Sequence, residues 1–384
     1  MSTTSTHFIE ALDVLVLRGN KLFGAAGSHG ESLMPPWPSV AAGALRSALL
    51  VHRGHDLADF ASGRIAVPEL GTPERPGSFT LQGFHIGRRQ GGRIAPVYQL
   101  PADLAVTRLD DDTLGLRAMQ PTRLVGVQTG APLPRVPVLA ETTRGKPETG
   151  YWLTAEGMTR WLQGAVPTAD QLVHSQALWG YEDRIGIGMD PNLKRAQDGR
   201  LFTSRVVALR PGVGFVAEVS GCPWPAALTL RFGGDGRGAV SHATDAQWPK
   251  ADPAAIVTSG RARLLLTSPG YFADGGWYPT GVHHDAASGE LRFDLHGVRG
   301  RLVAAGVSRA EVISGWDLAK RQPKPAERVA PTGSVYWLDQ LEASPQALDK
   351  LVMRGLWTDT HYDDQPRRAE GFNRCLIAPW RRTP

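Results

Sequence analysis

The chain has 384 residues, of which 42% are hydrophobic and 21% charged, the balance of a folded, soluble protein too long for one typical core. Its 42 Lys and Arg against 37 Asp and Glu leave a net charge of +5, an excess that permits nucleic-acid binding without establishing it. The two cysteines, Cys222 and Cys375, form no CxxC pair, which excludes zinc ribbons and thioredoxin-like redox chemistry.

The N-terminus, MSTTSTHFIE, lacks the basic and apolar regions of a signal peptide, and no apolar run is long enough to span a bilayer. The expected place is therefore the cytoplasm, with no membrane partner. In chain order, Phe8–Arg18 reads as a strand buried on both faces. A Gly- and Pro-rich loop follows over 24–37 and carries Gly27, Ser28, His29 and Gly30. Pro38-Ser39 then starts a helix with Ser39 as its N-cap, and Gly54 stops it. Strand, loop and helix open a βαββαβ ferredoxin-like unit.

Residues 78–101 read as a β-hairpin whose tip sets Arg88, Arg89 and Arg93 among glycines. Such a tip is either a solvated turn or a finger for RNA or a neighbouring subunit. The proline-rich stretch 131–150 reads as a linker or a long exposed loop. Thr154–Gln163 and Thr168–Trp179 read as short Thr-capped helices. The second half is strand-rich, with candidates at Leu201–Leu209, Gly214–Val219, Ala227–Phe232, Arg261–Thr267, Leu291–Leu295 and Leu302–Ala305. The glycine run 233–238 precedes no helical signal, so it reads as a hairpin turn or an anion-binding nest with Arg237, not a Rossmann loop.

Ile313–Asp339 joins two apolar ends through a basic, proline-rich middle. Pro323, Pro325 and Pro331 remove backbone donors and exclude a regular helix or a central strand. Lys320, Arg321, Lys324 and Arg328 therefore sit on a stiffened loop, suited to phosphate contacts or simply solvated. Val335–Leu338 is a strand, Ser344 caps a last helix, and an apolar strand closes the chain.

No HExxH, GxSxG or Walker A pattern is present. His283-His284-Asp285 falls at a turn, and the three carboxylates Asp110–Asp112 point different ways. His29 is the best general-base candidate, because a glycine loop can present it to a scissile phosphate. No catalytic set assembles, and no metal or cofactor is expected.

A series of stretches is nonetheless recognisable: VLVLRGNKLFG, PPWPSVAAGALRSALL, YEDRIGIGMDPNLKRAQDGRLFTSRVVALRPGVGF, RFGGDGRGAV, LLLTSPGYFADGGWYPT, GWDLAKRQPKPAERVAPTGSVYWL and the closing EGFNRCLIAPW. In this order they resemble the RAMP-superfamily third subunit of the type III-B CRISPR effector (Cmr) complex. Departures are Thr332 at the usual Ala before Gly-Ser, Ser268 inside the Thr-Pro pair, and Asn373 at the second closing glycine.

The resemblance implies an α+β fold of two ferredoxin-like (RRM-like) βαββαβ domains with long inserted loops and hairpins, set here at 1–150 and 151–384. It implies a non-catalytic subunit that holds the 5′ repeat-derived tag of the crRNA. Its partners would be the large polymerase/cyclase-like subunit and the backbone subunit, with target RNA met indirectly through the guide. It adds Gly27–Gly30, Arg46, Lys324, Arg328, Ser334, Gly371 and Arg374 as candidate RNA contacts, Arg46 having the alternative of pairing with a carboxylate of the protein. Two other readings remain open: a metal-independent crRNA-processing endoribonuclease with His29 as base, and a protein-only scaffold.

Overall fold

The computed structural model of the chain describes residues 4–19, 29–109, 113–140, 146–190, 192–317, 319–360 and 365–380. It is mixed α/β, with mostly antiparallel sheets and few helices. Two compact units emerge, each assembled from three stretches: Met1–Ile94, Ser175–Ala246 and Val312–Glu327 in the first; Ala95–His174, Gln247–Glu311 and Arg328–Pro384 in the second. The chain thus interleaves the units, where the sequence suggested one boundary near residue 150.

The first unit contains β1 (Thr4–Ala11), α1 (Pro38–His52), β2 (Thr80–Gln90), β3 (Trp179–Met189), β4 (Ala196–Leu209), β5 (Val213–Ser220), β6 (Ala227–Arg231) and β7 (Gly238–Ala243). Five of these strands form an antiparallel sheet in the order β2-β5-β1-β7-β6. Helix α1 packs on β2 and β6 and buries Ala41, Ala42, Ala44, Leu45, Leu49 and Leu50. Its small residues allow close approach. On the sheet, Phe84, Phe215 and Phe232 form a three-ring cluster, Phe215 stacking on Phe84 at 5.3 Å and on Phe232 at 5.2 Å, ring pairs that add to the area they bury.

Two local expectations shift. Strand β1 lies N-terminal to the predicted one: the chain bends after Ala11, and beyond it Leu15 bridges Val207 while Val14 and Val16 pack on Val206. Helix α1 starts with Pro38 at its first turn after Trp37, without a side-chain cap, so Ser39 lies inside it.

His7 on β1 is buried, with Nε2 2.9 Å from Ser5 Oγ and Nδ1 without a partner among the described residues. Burial pushes its pKa down to about 4. The unfolded chain takes up this proton near pH 6.5, so between there and pH 4 it binds more protons than the folded chain. Stability should fall across that window as pH drops, by up to about 3 kcal/mol. Urea midpoints at neutral pH and near pH 4.5 check this; a His7→Gln variant should lose markedly less, and an equal loss would assign the pH dependence elsewhere.

The second unit is built on β8 (Ala262–Leu266), β9 (Val282–His284), β10 (Leu291–Leu295), β11 (Val298–Gly306), β12 (Val335–Glu342) and β13 (Cys375–Pro379). They form an antiparallel sheet in the order β9-β10-β11-β12-β8-β13. Its longer helices are α2 (Ala155–Leu162), α3 (Pro253–Ser259) and α4 (Pro345–Arg354), capped by the side chains of Thr154, Asp252 and Ser344.

Both faces of this sheet are covered. Leu264, Leu266, Leu302, Tyr336 and Leu338 pack with Ile256 of α3 and with Leu348 and Leu351 of α4. Leu265, Val303, Val335, Trp337 and Ala378 pack with Met158, Trp161 and Leu162 of α2. Double-sided burial is why these strands read as continuous apolar runs rather than alternating ones. Thr168–Trp179, expected as a helix, is instead two 3-10 turns around the short strand Leu172–His174.

Candidate nucleic-acid interface

Strands β3 and β4 form a long antiparallel ribbon with Trp179 opposite Leu209 and Ile187 opposite Leu201. Alternation puts Tyr181, Ile185 and Ile187 on the face shared with Leu201, and all four are exposed, Ile185 at 75%. Exposed apolar residues in a row are uncommon on a ribbon and mark a contact surface. On that same face Arg205 grips Asp183 through two hydrogen bonds of 2.9 and 3.1 Å. Lys194, Arg195 and Arg200 lie near its far end, exposed and without ion pairs among the described residues.

The sequence reading found the β4 half but not its partner. The signal that marks it is YEDRIGIGM, where Gly186 lets the Phe202 ring lie across the ribbon; a Cβ there would come within 2.4 Å of the ring. His29 and Gly30 add a short parallel strand beside Thr203 and Ser204. Gly27 and Ser28 lie outside the described residues, as does the side chain of His29.

The second basic element is the hairpin tip after β2. Gly91 and Gly92, at φ 54° and 81°, make the turn into the strand Arg93–Gln99. Arg93 is exposed and Arg88 half-buried, neither with an ion pair among the described residues. Arg89 differs: it pairs with Glu10 at 3.2 Å and lies 5.4 Å from the Phe8 ring centre.

The third is the small hairpin inside the proline-rich segment, where Trp316–Asp317 pairs with Gln322–Pro323. The Asp317 carboxylate accepts from the Ala319 and Lys320 amides, and Arg321 at φ 50° completes the turn. Pro323 sits where a two-residue edge ladder tolerates it. Lys320 and Arg321 project from this tip, exposed and without side-chain partners among the described residues. Lys324 is set by its backbone, its amide donating to the Gly315 carbonyl and its carbonyl accepting from Ser314.

The remaining candidates are used inside their own units. Arg46 donates to the Leu70 carbonyl at 2.8 Å, a backbone oxygen of its own unit. Ser334 is 2% exposed, and its hydroxyl donates to the Pro331 carbonyl. Gly371 is buried at φ 89°, its amide bound to the Arg368 carbonyl. Arg374 is buried and donates to the Met353 and Val352 carbonyls at 3.0 and 3.1 Å, closing the last turn of α4. Arg328 alone of the second-unit candidates is exposed, and it has no hydrogen bond or ion pair among the described residues.

Asn373, at the position of the second closing glycine, is fully buried at φ 59°. Its Nδ2 donates to the carbonyls of Tyr271 and Leu356 at 3.0 and 3.1 Å, and its Oδ1 accepts from the Tyr271 amide. Asparagine tolerates the left-handed conformation and adds three hydrogen bonds that glycine cannot make.

These features describe a mixed α/β protein of largely antiparallel sheets with Arg88, Arg93, Lys320 and Arg321 at hairpin tips of the first unit. The profile of the CRISPR-associated protein (Cas_Cmr3) family matches residues 7–380, and the chain belongs to that family. No curated protein matches the chain significantly. Among solved structures it is similar to a chain of type III-B Cmr-beta bound to cognate target RNA and AMPPnP, at 15% identity, TM-score 0.49, covering 98% of this chain and 99% of that one. It is similar to a chain of type III-B Cmr-beta bound to cognate target RNA at 15% identity and TM-score 0.47, covering 96% of each. A chain of the apo state of type III-B Cmr-beta shows 14% identity and TM-score 0.26, covering 63% of this chain and 97% of that one. Family membership rests on the sequence profile. No described helix is long and apolar enough to cross a membrane.

Proposed function

We propose that this chain is a non-catalytic crRNA-binding subunit of a type III-B CRISPR effector, holding the 5′ repeat-derived tag and docking on the large polymerase/cyclase-like subunit and a backbone subunit. Beyond family membership, the observation that supports it is the placement of Lys320, Arg321, Arg88 and Arg93 at exposed or half-exposed tips with no carboxylate among the described residues to neutralise them. Unpaired cations at projecting turns add nothing to the fold and are suited to a phosphate backbone.

The same proposal takes each unit as a ferredoxin-like core lacking one helix. Strands β1, β2, β5 and β7 stand in the sheet order second-third-first-fourth, and so do β8, β11, β12 and β13. The first unit keeps the helix between its first two core strands, the second the helix between its last two.

Binding to single-stranded repeat RNA should be weak and steeply salt-dependent. Exchanging Lys320 and Arg321 for Ser should flatten the log–log salt slope by roughly 1.4, about 0.7 per lost phosphate contact. Fluorescence anisotropy across a salt series reads this, and an unchanged slope removes that hairpin from the interface. Thermal stability should hardly move, because both side chains are exposed and have no ion pair among the described residues. Labelled repeat RNA incubated with the wild-type chain should stay intact; histidine-dependent cleavage would favour the endoribonuclease reading.

A further inference from the structure

The second unit contains a cleft of about 350 Å³, the size of a small-ligand site. Thr129, Arg135, Trp277, Val307, Ser308 and Arg328 are among the residues that line it, and none of its described lining residues is acidic. Two guanidinium groups with no carboxylate make the space attractive to an anion. An indole and apolar neighbours make it attractive to a flat ring. We propose that this cleft takes one ribonucleotide of a single-stranded RNA, its base laid against Trp277 and its phosphate met by Arg328 and Arg135.

Its walls are fixed from behind. The Tyr336 hydroxyl donates to the Trp277 carbonyl at 2.7 Å, anchoring the loop that carries the indole. The Trp277 and Tyr278 rings stand 4.1 Å apart, which restrains the indole further. The Arg135 amide donates to the Val303 carbonyl at 3.1 Å, tying that wall to β11. The Ala330 and Gly270 backbones exchange hydrogen bonds, and Arg328 lies two residues from this bridge.

Gly275 explains the close approach of the loop to Arg328. It sits at φ 61°, and a Cβ there would come within 2.9 Å of the Arg328 Cβ. Gly275 of GGWYP thus has a steric reason: it lets the loop and Arg328 close on one cleft. Arg135 is partly occupied, reaching the Pro121 carbonyl at 3.4 Å and lying 5.9 Å from the Trp380 ring centre. Arg328 carries no such contact among the described residues and is the freer anion ligand.

Single-stranded RNA is commonly recognised by splaying a base onto an aromatic ring while cations hold the backbone, and this cleft offers both in one place. An acidic peptide would satisfy the arginines but leave the indole without a flat partner.

The inference rests on the RNA-binding reading, and the test separates the two. The full chain is titrated with adenosine and uridine 5′-monophosphates, with inorganic phosphate and with a glutamate-rich peptide. It is also photo-crosslinked to a 4-thiouridine-containing oligoribonucleotide, and the crosslinked peptide is mapped. The expected result is that a monophosphate binds more tightly than phosphate, that Arg328→Ser weakens it about tenfold, and that the crosslink falls on residues 275–279. Trp277→Leu should weaken it at least as much. Trp277 also packs on the core, so Arg328→Ser, at an exposed position, is the variant that keeps the test valid if the other misfolds. Oligoribonucleotide binding with no crosslink in this loop and no response to Arg328→Ser would overturn the cleft and leave the RNA reading intact. Tighter binding of the acidic peptide than of either monophosphate would also overturn it. Failure of the oligoribonucleotide to bind would sink the RNA reading, while the monophosphate titration still judges the cleft alone.

Discussion

Replacing Asp103 by Ala should destabilise the second unit by about 3–5 kcal/mol. The carboxylate is fully buried and meets Arg263 Nη1 at 2.6 Å. It also accepts from the Trp161 indole at 3.0 and 3.2 Å. Arg263 Nη2 reaches the Trp161 carbonyl at 3.0 Å, and the guanidinium lies 4.2 Å from that ring's centre. Three segments distant in sequence are joined by one charge pair and one indole. Removing the carboxylate leaves a buried cation and an indole N–H unpaired, and an unpaired buried charge costs far more than the pair contributes. The comparison that isolates this cost is Asp103→Leu combined with Arg263→Met, which should lose markedly less than Asp103→Ala. Urea denaturation followed by tryptophan fluorescence measures both. An equal loss would place the cost in packing rather than in the orphaned charge.

Asn373→Ala should cost about 4–5 kcal/mol, from three hydrogen bonds at about 1 kcal/mol each and from forcing alanine into a left-handed conformation at about 1–2 kcal/mol. Its side chain pairs both backbone groups of Tyr271, as an adjacent strand would, and also holds the Leu356 carbonyl. Asn373→Gly keeps the backbone conformation and should cost roughly 2–3 kcal/mol. The ordering Ala worse than Gly worse than Asn is the informative outcome in thermal or urea unfolding. A glycine variant as stable as wild type would mean the side-chain bonds contribute nothing net.

Much of the strand inventory was legible because it depends on local pattern. Leu291–Leu295 is observed as expected, and Arg261–Thr267 and Gly214–Val219 shift by about a residue at their ends. What local pattern cannot carry is pairing at a distance. Asp103 and Arg263 each look like ordinary surface charges until the fold places them together. The β3 strand was missed because beyond Trp179 its residues are exposed or half-buried, so no core period marks it. The basic residues divided in the same way. Those on tight turns, Lys320 and Arg321, could be read from their prolines and turn residues. Arg374 could not, because the helix end it caps lies about twenty residues upstream.

The interleaving of the units also sets a timetable for synthesis. Strand β1 ends at residue 11, yet its neighbour β5 begins at 213. At about 5–20 residues per second on the ribosome, β1 must wait roughly 10–40 s for that partner. The second unit waits as well, because β13, which pairs with β8 along its whole length, begins at 375, long after β8 ends at 266. During that interval the apolar face of α1 and the unpaired edges of the early strands stay uncovered, the condition under which nascent chains pair wrongly or recruit chaperones. A gene fragment cut at any single point within 94–327 therefore encodes neither unit complete, and moving the termini by circular permutation would change the order of assembly while leaving every native contact available.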